Sequence, residues 1–243
     1  MDKRFAIFAD VHANINALKS VIDDARENAV TDFICAGDIV GYNASPNECV
    51  DFIRNLDCFT VRGNHDHYCA YDESLDDFHP IAASAIAWTR EQLSEENAKW
   101  LKDLPLHAFH HGLTLVHSTL DMPERWGYVF ESIEAEAHFC YQSTQLCFHG
   151  HTHVPVIFEK HSNVVTQRVP ASFTISLGHK YFINTGSVGQ PRDNDPKASY
   201  CIYDVKSRRV EFRRIEYDVE GTQKKIREAG LPERLAQRII TGR

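Results

Sequence analysis

The chain has 243 residues, 43% apolar and 25% charged, ordinary values for a globular protein that buries a sizeable core without disulfide staples. Its formal net charge of −8 excludes a general nucleic-acid backbone binder, which needs a basic face. No apolar stretch approaches the ~18 residues of a membrane span, and the start, MDKRFAIFAD, does not read as a signal peptide. Seven cysteines form no C-x-x-C pair, and Cys35, Cys58, Cys147 and Cys201 sit inside apolar runs. They read as buried, reduced thiols of a cytoplasmic protein.

In chain order, Phe5 to Ala9 is a short apolar run that ends in Asp10-Val11-His12. Asn14 is a helix N-cap, followed by Ile15, Leu18, Val21, Ile22 and Ala25 at helical spacing. Phe33 to Ala36 is a second run, ending in Gly37-Asp38, and 46–56 is a second helix with Val50 and Ile53 inward. Cys58 to Val61 runs into Arg62-Gly63-Asn64-His65-Asp66. Residues 4–61 therefore read β-α-β-α-β, a parallel sheet with right-handed crossovers. Residues 68–106 lack strand character and read as a helical insertion, with helices over 80–93 and, capped by Ser94, over 95–104. Leu113 to Val116 runs into His117-Ser118, 131–141 is helical, and Leu146 to Phe148 runs into His149-Gly150-His151-Thr152-His153. From Val154 the pattern turns β-rich, over 154–159, 163–169, 173–177, 180–184, 198–205 and 209–217. These segments are expected to form the antiparallel strands of a second sheet. A helical tail at about 219–243 closes the chain, split by Gly230 and Pro232. The expected architecture is one domain over 1–243, an α/β sandwich of two sheets packed face to face with helices outside.

Five polar clusters fall at strand carboxyl ends, where ligands gather in open α/β sheets. They supply Asp10, His12, Asp38, Asn64, His117, His151 and His153, a mixture of carboxylates, imidazoles and a carboxamide with no thiolate. That mixture suits Mn, Fe, Zn, Co or Ni better than Ca or Mg. Residues i and i+2 at a strand end point the same way, so Asp10 and His12 can grip one ion. His151 and His153 can do likewise or serve different ions. Seven donors are too many for one tetrahedral ion and suit two ions that share a carboxylate. Taken singly, each is more simply a strand-end polar side chain, and His149 keeps that reading.

The set DVHAN (10–14), GDIVGY (37–42), GNHD (63–66), LVHS (115–118) and GHTH (150–153) resembles the calcineurin-like metallophosphoesterases, especially their small prokaryotic phosphodiesterase-type branch. The likeness continues into INTGSVGQPRD (183–193). It departs at Ala13 and Ser118, where the family commonly has glycine, and at Asn184-Thr185-Gly186; none of these removes a donor. The resemblance implies a four-layer αββα sandwich and two divalent ions. Asp10, His12 and His153 would bind the first ion, Asn64, His117 and His151 the second, and Asp38 both. It implies that His65 is catalytic and that Asp66 orients it. The function so implied is hydrolysis of a P–O bond by a metal-bridging hydroxide, with His65 protonating the leaving alkoxide.

A small phosphodiester is the expected substrate. A dinucleotide polyphosphate is the alternative, and Tyr42, Tyr68, Tyr71 and Trp126 are available to stack on a base. Phosphomonoesters and phosphoproteins are disfavoured, because the family's protein phosphatases carry an arginine soon after the G-D motif, where this chain reads Ile39-Val40-Gly41-Tyr42. Arg192 and, beside its place in the donor set, Asn64 are candidate substrate contacts, and Arg62 is a candidate for a structural ion pair. A non-catalytic binding module of the same fold is the rival from another class, and the intact His65 and donor set argue against it. Family members of this size imply a homo-oligomer, for which the sequence carries no interface signature.

Overall fold

The computed structural model of the protein describes residues 3–243. The chain runs through β1 (Arg4–Phe8), α1 (Ile15–Glu27), β2 (Asp32–Cys35), α2 (Pro46–Asn55), β3 (Phe59–Thr60), α3 (Asn64–Ala70), α4 (Pro80–Gln92) and α5 (Glu95–Asp103). Next come β4 (His107–His110), β5 (Leu113–Val116), a 3-10 turn at Pro123–Arg125, α6 (Ser132–Tyr141) and β6 (Leu146–His149). The remainder is β7 (Val156–His161), β8 (Val164–Arg168), β9 (Phe173–Thr174), β10 (His179–Asn184), β11 (Ala198–Asp204), β12 (Arg209–Ile215), α7 (Val219–Glu228) and α8 (Glu233–Thr241).

Two mixed sheets of six strands form the centre, in the orders β3-β2-β1-β11-β12-β9 and β4-β5-β6-β10-β7-β8. β1, β2 and β3 are parallel, as the β-α-β-α-β reading requires. The alternation along β1 assigns its two faces. Phe5, Ile7 and Ala9 meet Leu115, Phe148, Tyr181 and Ile183 of the facing sheet. Ala6 and Phe8 pack outward against Leu18 and Val21 of α1 and Val50 of α2. On the far side, Cys147 and Phe182 pack outward against Ala135 and Phe139 of α6. The layers are thus helix, sheet, sheet, helix, as expected.

The allotment of strands differs from the sequence reading. The β-rich C-terminal half does not make a sheet of its own. β11 pairs antiparallel with β1, placing Phe5 opposite Tyr203, and β12 and β9 follow it into the first sheet. β5 and β6 belong instead to the second. The physical reason lies in β1: its Phe5 to Phe8 are fully buried, so it needs a strand on each side, and β2 supplies only one.

α1 begins where Asn14 caps it, its Oδ1 accepting from Ala17 N–H at 3.1 Å. α3 escaped the sequence reading because it is seven residues long and starts inside the G-N-H-D motif. α4, α7 and α8 pack on one another through Ala82, Ala85, Ile226, Leu235 and Ile239, with Tyr42 among them. Among the described residues, no helix is long and apolar enough to cross a membrane.

Candidate metal centre

The five polar clusters meet between the carboxyl ends of β1, β2, β3, β5 and β6. Asp10, His12, Asp38 and His117 are fully or almost fully buried, and Asn64, His151 and His153 nearly so. Three groups of donor atoms lie within 4.8 Å of one another: Asp10, His12 and His153; His12, Asp38 and His65; and Asp38, His117 and His151. Asp38 Oδ2 stands 3.6 Å from His12 Nε2 and 3.3 Å from His117 Nε2. Asn64 Oδ1 is 3.1 Å from His117 Nε2 and 3.0 Å from His151 Nδ1.

Each of four imidazoles is pinned at its far nitrogen. His12 Nδ1 donates to the Val40 carbonyl (3.0 Å), His117 Nδ1 to Ala36 (2.9 Å), His153 Nδ1 to Gln190 (2.6 Å) and His151 Nε2 to Trp126 (2.8 Å). A carbonyl oxygen only accepts, so these nitrogens carry the protons, and in the neutral ring the opposite nitrogen presents a lone pair to the centre. Two such nitrogens, on His12 and His153, face each other at 3.0 Å. Lone pairs at that distance repel unless a proton or a metal cation lies with them, and imidazoles held from behind by carbonyls in this way are the arrangement of a metal site.

The charges favour the same group. Among the described residues, neither Asp10 nor Asp38 has a Lys or Arg partner; their ion-pair partners are imidazoles. Burial pushes the Asp10 carboxyl up to about 8 against the pull of His117. Burial would raise Asp38 as well, but His117, His65 and His12 outweigh it and hold that carboxyl below its usual range. Burial would lower His117, yet Asp38 and Asp10 lift it to about 9, while burial keeps His151 down at about 3. Buried carboxylates of this kind want a compact positive charge, and divalent cations supply one.

The backbone explains how donors from loops converge. Asp10 (φ +54°), His12 (+46°), Asp38 (+55°), His151 (+70°) and His153 (+61°) all adopt the left-handed conformation. The expectation that i, i+2 pairs converge because they sit on extended strand ends is therefore corrected: the strands have ended, and left-handed turns aim the side chains. Non-glycine residues held there store strain, which clusters at functional sites. The loops also touch without a Cβ between them. A methyl on Gly63 would overlap the Asp38 backbone N–H and carboxylate, and one on Gly150 would lie 2.5 Å from Ala9 Cβ.

The model of the calcineurin-like phosphoesterase superfamily domain matches residues 4–208. The chain belongs to that superfamily. It is a metallophosphoesterase, a hydrolase of the calcineurin-like kind. An uncharacterized protein of Methanocaldococcus jannaschii is 39% identical over 242 residues, covering 98% of both chains. A metallophosphoesterase from Sphaerobacter thermophilus, solved as a crystal structure, is 42% identical over the whole of both chains, with a TM-score of 0.88. A hypothetical protein from Pyrococcus horikoshii shares the fold at 19% identity and a TM-score of 0.80, over 99% of this chain and 98% of its own.

In this phosphoesterase a cleft of about 470 Å³ opens from the centre, with Asn64, His65 and His151 among its lining residues. His65 is buried, its ring edge-on to His12 and 4.4 Å from Tyr42, and its Nδ1 has no hydrogen-bond partner. Burial lowers it to about 4. Asp66 does not orient that ring, which corrects the expectation. Its carboxylate accepts from the backbone N–H groups of Asp38 (2.8 Å), Ile39 (2.7 Å), Val40 (3.1 Å) and Gly63 (3.0 Å). It is the third residue of α3, and its acceptors are consumed in clamping the G-D loop to that helix start. The clamp acts on the centre indirectly, since His65 N–H then donates to Asp38 Oδ1 at 2.8 Å.

Arg192 lines the cleft, held by Tyr42 Oη (3.3 Å) and Gln190 Oε1 (3.1 Å). Among the described residues Arg62 forms no ion pair; it donates to the Lys102 carbonyl (2.7 Å) and lies over Tyr71. Tyr42, Tyr68 and Trp126 line the cleft, and Tyr71 does not. His149 stays outside the donor groups and stacks on Phe182 at 3.7 Å. Asn184 donates to Gly150 O (2.6 Å) and Thr152 Oγ1 (3.0 Å), which secures the G-H-T-H loop. Sequence reasoning missed Phe78, Tyr128, Arg234 and Arg238 on the cleft wall. The signal available for the arginines was their i, i+4 spacing in the tail helix.

Proposed function

We propose that the chain is a binuclear metal-dependent phosphoesterase that hydrolyses a P–O bond of a small phosphodiester. Asp10, His12 and His153 would hold one ion, Asn64, His117 and His151 the other, and Asp38 both. The observation that carries this reading is the set of four imidazoles, each tied at one nitrogen to a backbone carbonyl and turned by the other toward two buried carboxylates. Nitrogen and oxygen donors without thiolate suit Mn, Fe, Zn, Co or Ni. Two such ions, when bound, lower the pKa of water and stabilise charge on phosphoryl oxygens.

The chain's own side chains do the rest. Arg192 binds a phosphoryl oxygen from the cleft wall, where Tyr42 and Gln190 hold its guanidinium in place. Burial alone disfavours the protonated His65 ring; the negative charge of a bound phosphate favours it, and His65 then gives its proton to the leaving alkoxide, a step worth about 10²–10⁴-fold. Its unpartnered Nδ1 and its place on the cleft lining support that role over a purely structural one. Asp66 is a positioning residue that sets the G-D loop. We read the chain as one domain, with the helices at about 68–106 and 219–243 added around the cleft. Its seven free thiols fit a reducing cytoplasm.

The test is metal analysis paired with assays on bis(4-nitrophenyl) phosphate and 4-nitrophenyl phosphate. Two ions per chain and faster turnover of the diester are expected. A fully metal-loaded protein that hydrolyses neither ester, nor a dinucleotide polyphosphate, overturns the reading. Preference for the monoester overturns the substrate class.

A further inference from the structure

Beyond the centre, the cleft holds an unmatched positive charge. Arg192, Arg234 and Arg238 line it, against Asp77 as the acidic lining residue. Arg234 and Arg238 stand one turn apart on α8, beyond the 4–208 span of the superfamily match. The helix is a fixed platform: Leu235, Ala236 and Ile239 are fully buried, and Gln223 Nε2 donates to the Ala236 carbonyl at 2.7 Å. Arg238 Nε donates to the main-chain oxygen of Arg243 at 2.7 Å, and among the described residues the Arg192 side chain has Tyr42 and Gln190 as its hydrogen-bond partners.

Among the described residues, none of these three arginines pairs with a side-chain carboxylate, whereas Arg213, Arg214 and Arg227 all do. Burial lowers Arg238, and Arg192 and Arg234 lower it further by like-charge repulsion. Three guanidinium groups without a side-chain carboxylate partner, gathered on one wall of a chain of net charge −8, are costly unless an anion joins them. The same cleft presents aromatic faces, among them Tyr68, Trp126 and Tyr128, and its size of about 470 Å³ suits a nucleotide.

We propose that Arg192, Arg234 and Arg238 form a subsite for a phosphoryl group that is not itself attacked, so that the substrate is a nucleotide carrying a polyphosphate chain. This deepens the phosphoesterase reading and rests on it. One water is consumed. Its oxygen bonds the phosphorus at the centre, the P–O bond to the bridging oxygen breaks, and the electron pair stays on that oxygen. His65 returns one proton to it, and the other proton leaves to solvent. The arginines hold the adjoining phosphoryl group through the step, and the base lies on the aromatic wall.

The test uses the full, manganese-loaded chain and two ligands, a methylene-bridged adenosine triphosphate analogue and adenosine monophosphate, with phosphate release followed in the same samples. The pair Arg234→Gln with Arg238→Gln is expected to weaken the analogue by at least about tenfold more than the monophosphate, as calorimetry reads it. Arg234→Gln alone, at an exposed position, should show part of the effect if the double variant folds poorly. Arg234→Lys with Arg238→Lys should restore part of it. Kinetics should agree: the ratio of kcat/KM for diadenosine tetraphosphate to that for bis(4-nitrophenyl) phosphate falls by a similar factor, through KM. Equal weakening of both ligands, or of neither, overturns the subsite and leaves the phosphoesterase reading standing. Loss of all turnover in the parent protein overturns that reading, while the calorimetry still decides the subsite.

Discussion

The inner centre and the outer wall of the cleft are built by opposite means. In the centre, donors sit on strand-end turns, and each of four imidazoles is fixed again through a carbonyl on its far nitrogen. On the wall, Arg234 and Tyr128 are exposed, and they belong to a helix and to the segment after a 3-10 turn. On the proposed reading, the groups that would hold metal lie on turns set directly by the strand ends, and the groups that would choose among substrates lie on the segments between and after the sheets. If that reading holds, chemistry and selectivity are separable in this molecule, and substitutions can test where the boundary runs.

The largest effect is expected at Asp38, which belongs to two of the three donor groups. Asp38→Ala should remove metal from both positions and lower turnover by more than the roughly 10–100-fold that loss of an outer-shell partner costs. Metal content by mass spectrometry and kcat check this, and a variant that retains two ions and activity breaks the assignment. Next is His65. Its replacement by alanine should lower kcat by about 10²–10⁴-fold while both ions stay bound. Loss of metal instead would move His65 into the donor set, since its ring nitrogen also falls within one of the groups.

How much of this was legible follows from where the information resides. The seven donors and His65 are side chains with distinctive chemistry, and their letters recur at five strand ends, so they stand out in the sequence. The pins do not. Val40, Ala36, Trp126 and Gln190 hold the imidazoles through carbonyl oxygens that every residue possesses, and no letter marks which one is used. The layers could be read from short apolar runs and helical spacing. The pairing of β1 with β11 could not, because it joins segments almost the whole chain apart. Arg234 and Arg238 reached the cleft by the packing of α8 on α4 and α7, a long-range event that helical spacing alone does not announce.

Asp66 shows how a residue of a motif can serve the backbone rather than the side chain beside it. Its neighbour in sequence is His65, but its carboxylate serves four backbone N–H groups of the loops around it. Asp66→Ala leaves buried donors bare at about 1–3 kcal/mol each, so even with partial relaxation a loss of at least ~2 kcal/mol is expected in urea unfolding. Metal affinity should fall with it, by about 10–100-fold. Asp66→Asn keeps an acceptor oxygen and should lie between. An alanine variant as stable and as metal-rich as the parent would show the clamp to be idle.

The smallest effect on function is expected at a site that belongs to neither region. Asp24 of α1 accepts Nε (2.7 Å) and Nη2 (2.8 Å) of Arg213 on β12, and also the Tyr200 hydroxyl on β11. Burial would raise its carboxyl, but the bonds from Arg213 and Tyr200 outweigh it and hold the folded value below the ordinary 3.8. A depressed folded value contributes stability that is present above the unfolded pKa and lost as pH falls through the folded one. Asp24→Asn should therefore cost about 1–3 kcal/mol near neutral pH, with kcat and metal content unchanged. The gap between parent and variant should stay level down to about pH 5 and close below the ordinary carboxylate value. A gap that widens on acidification would mean that the carboxyl is protonated in the folded protein, and a fall in kcat would mean that the helix-to-sheet tie reaches the cleft, so that stability and chemistry are not as separable as the two regions imply.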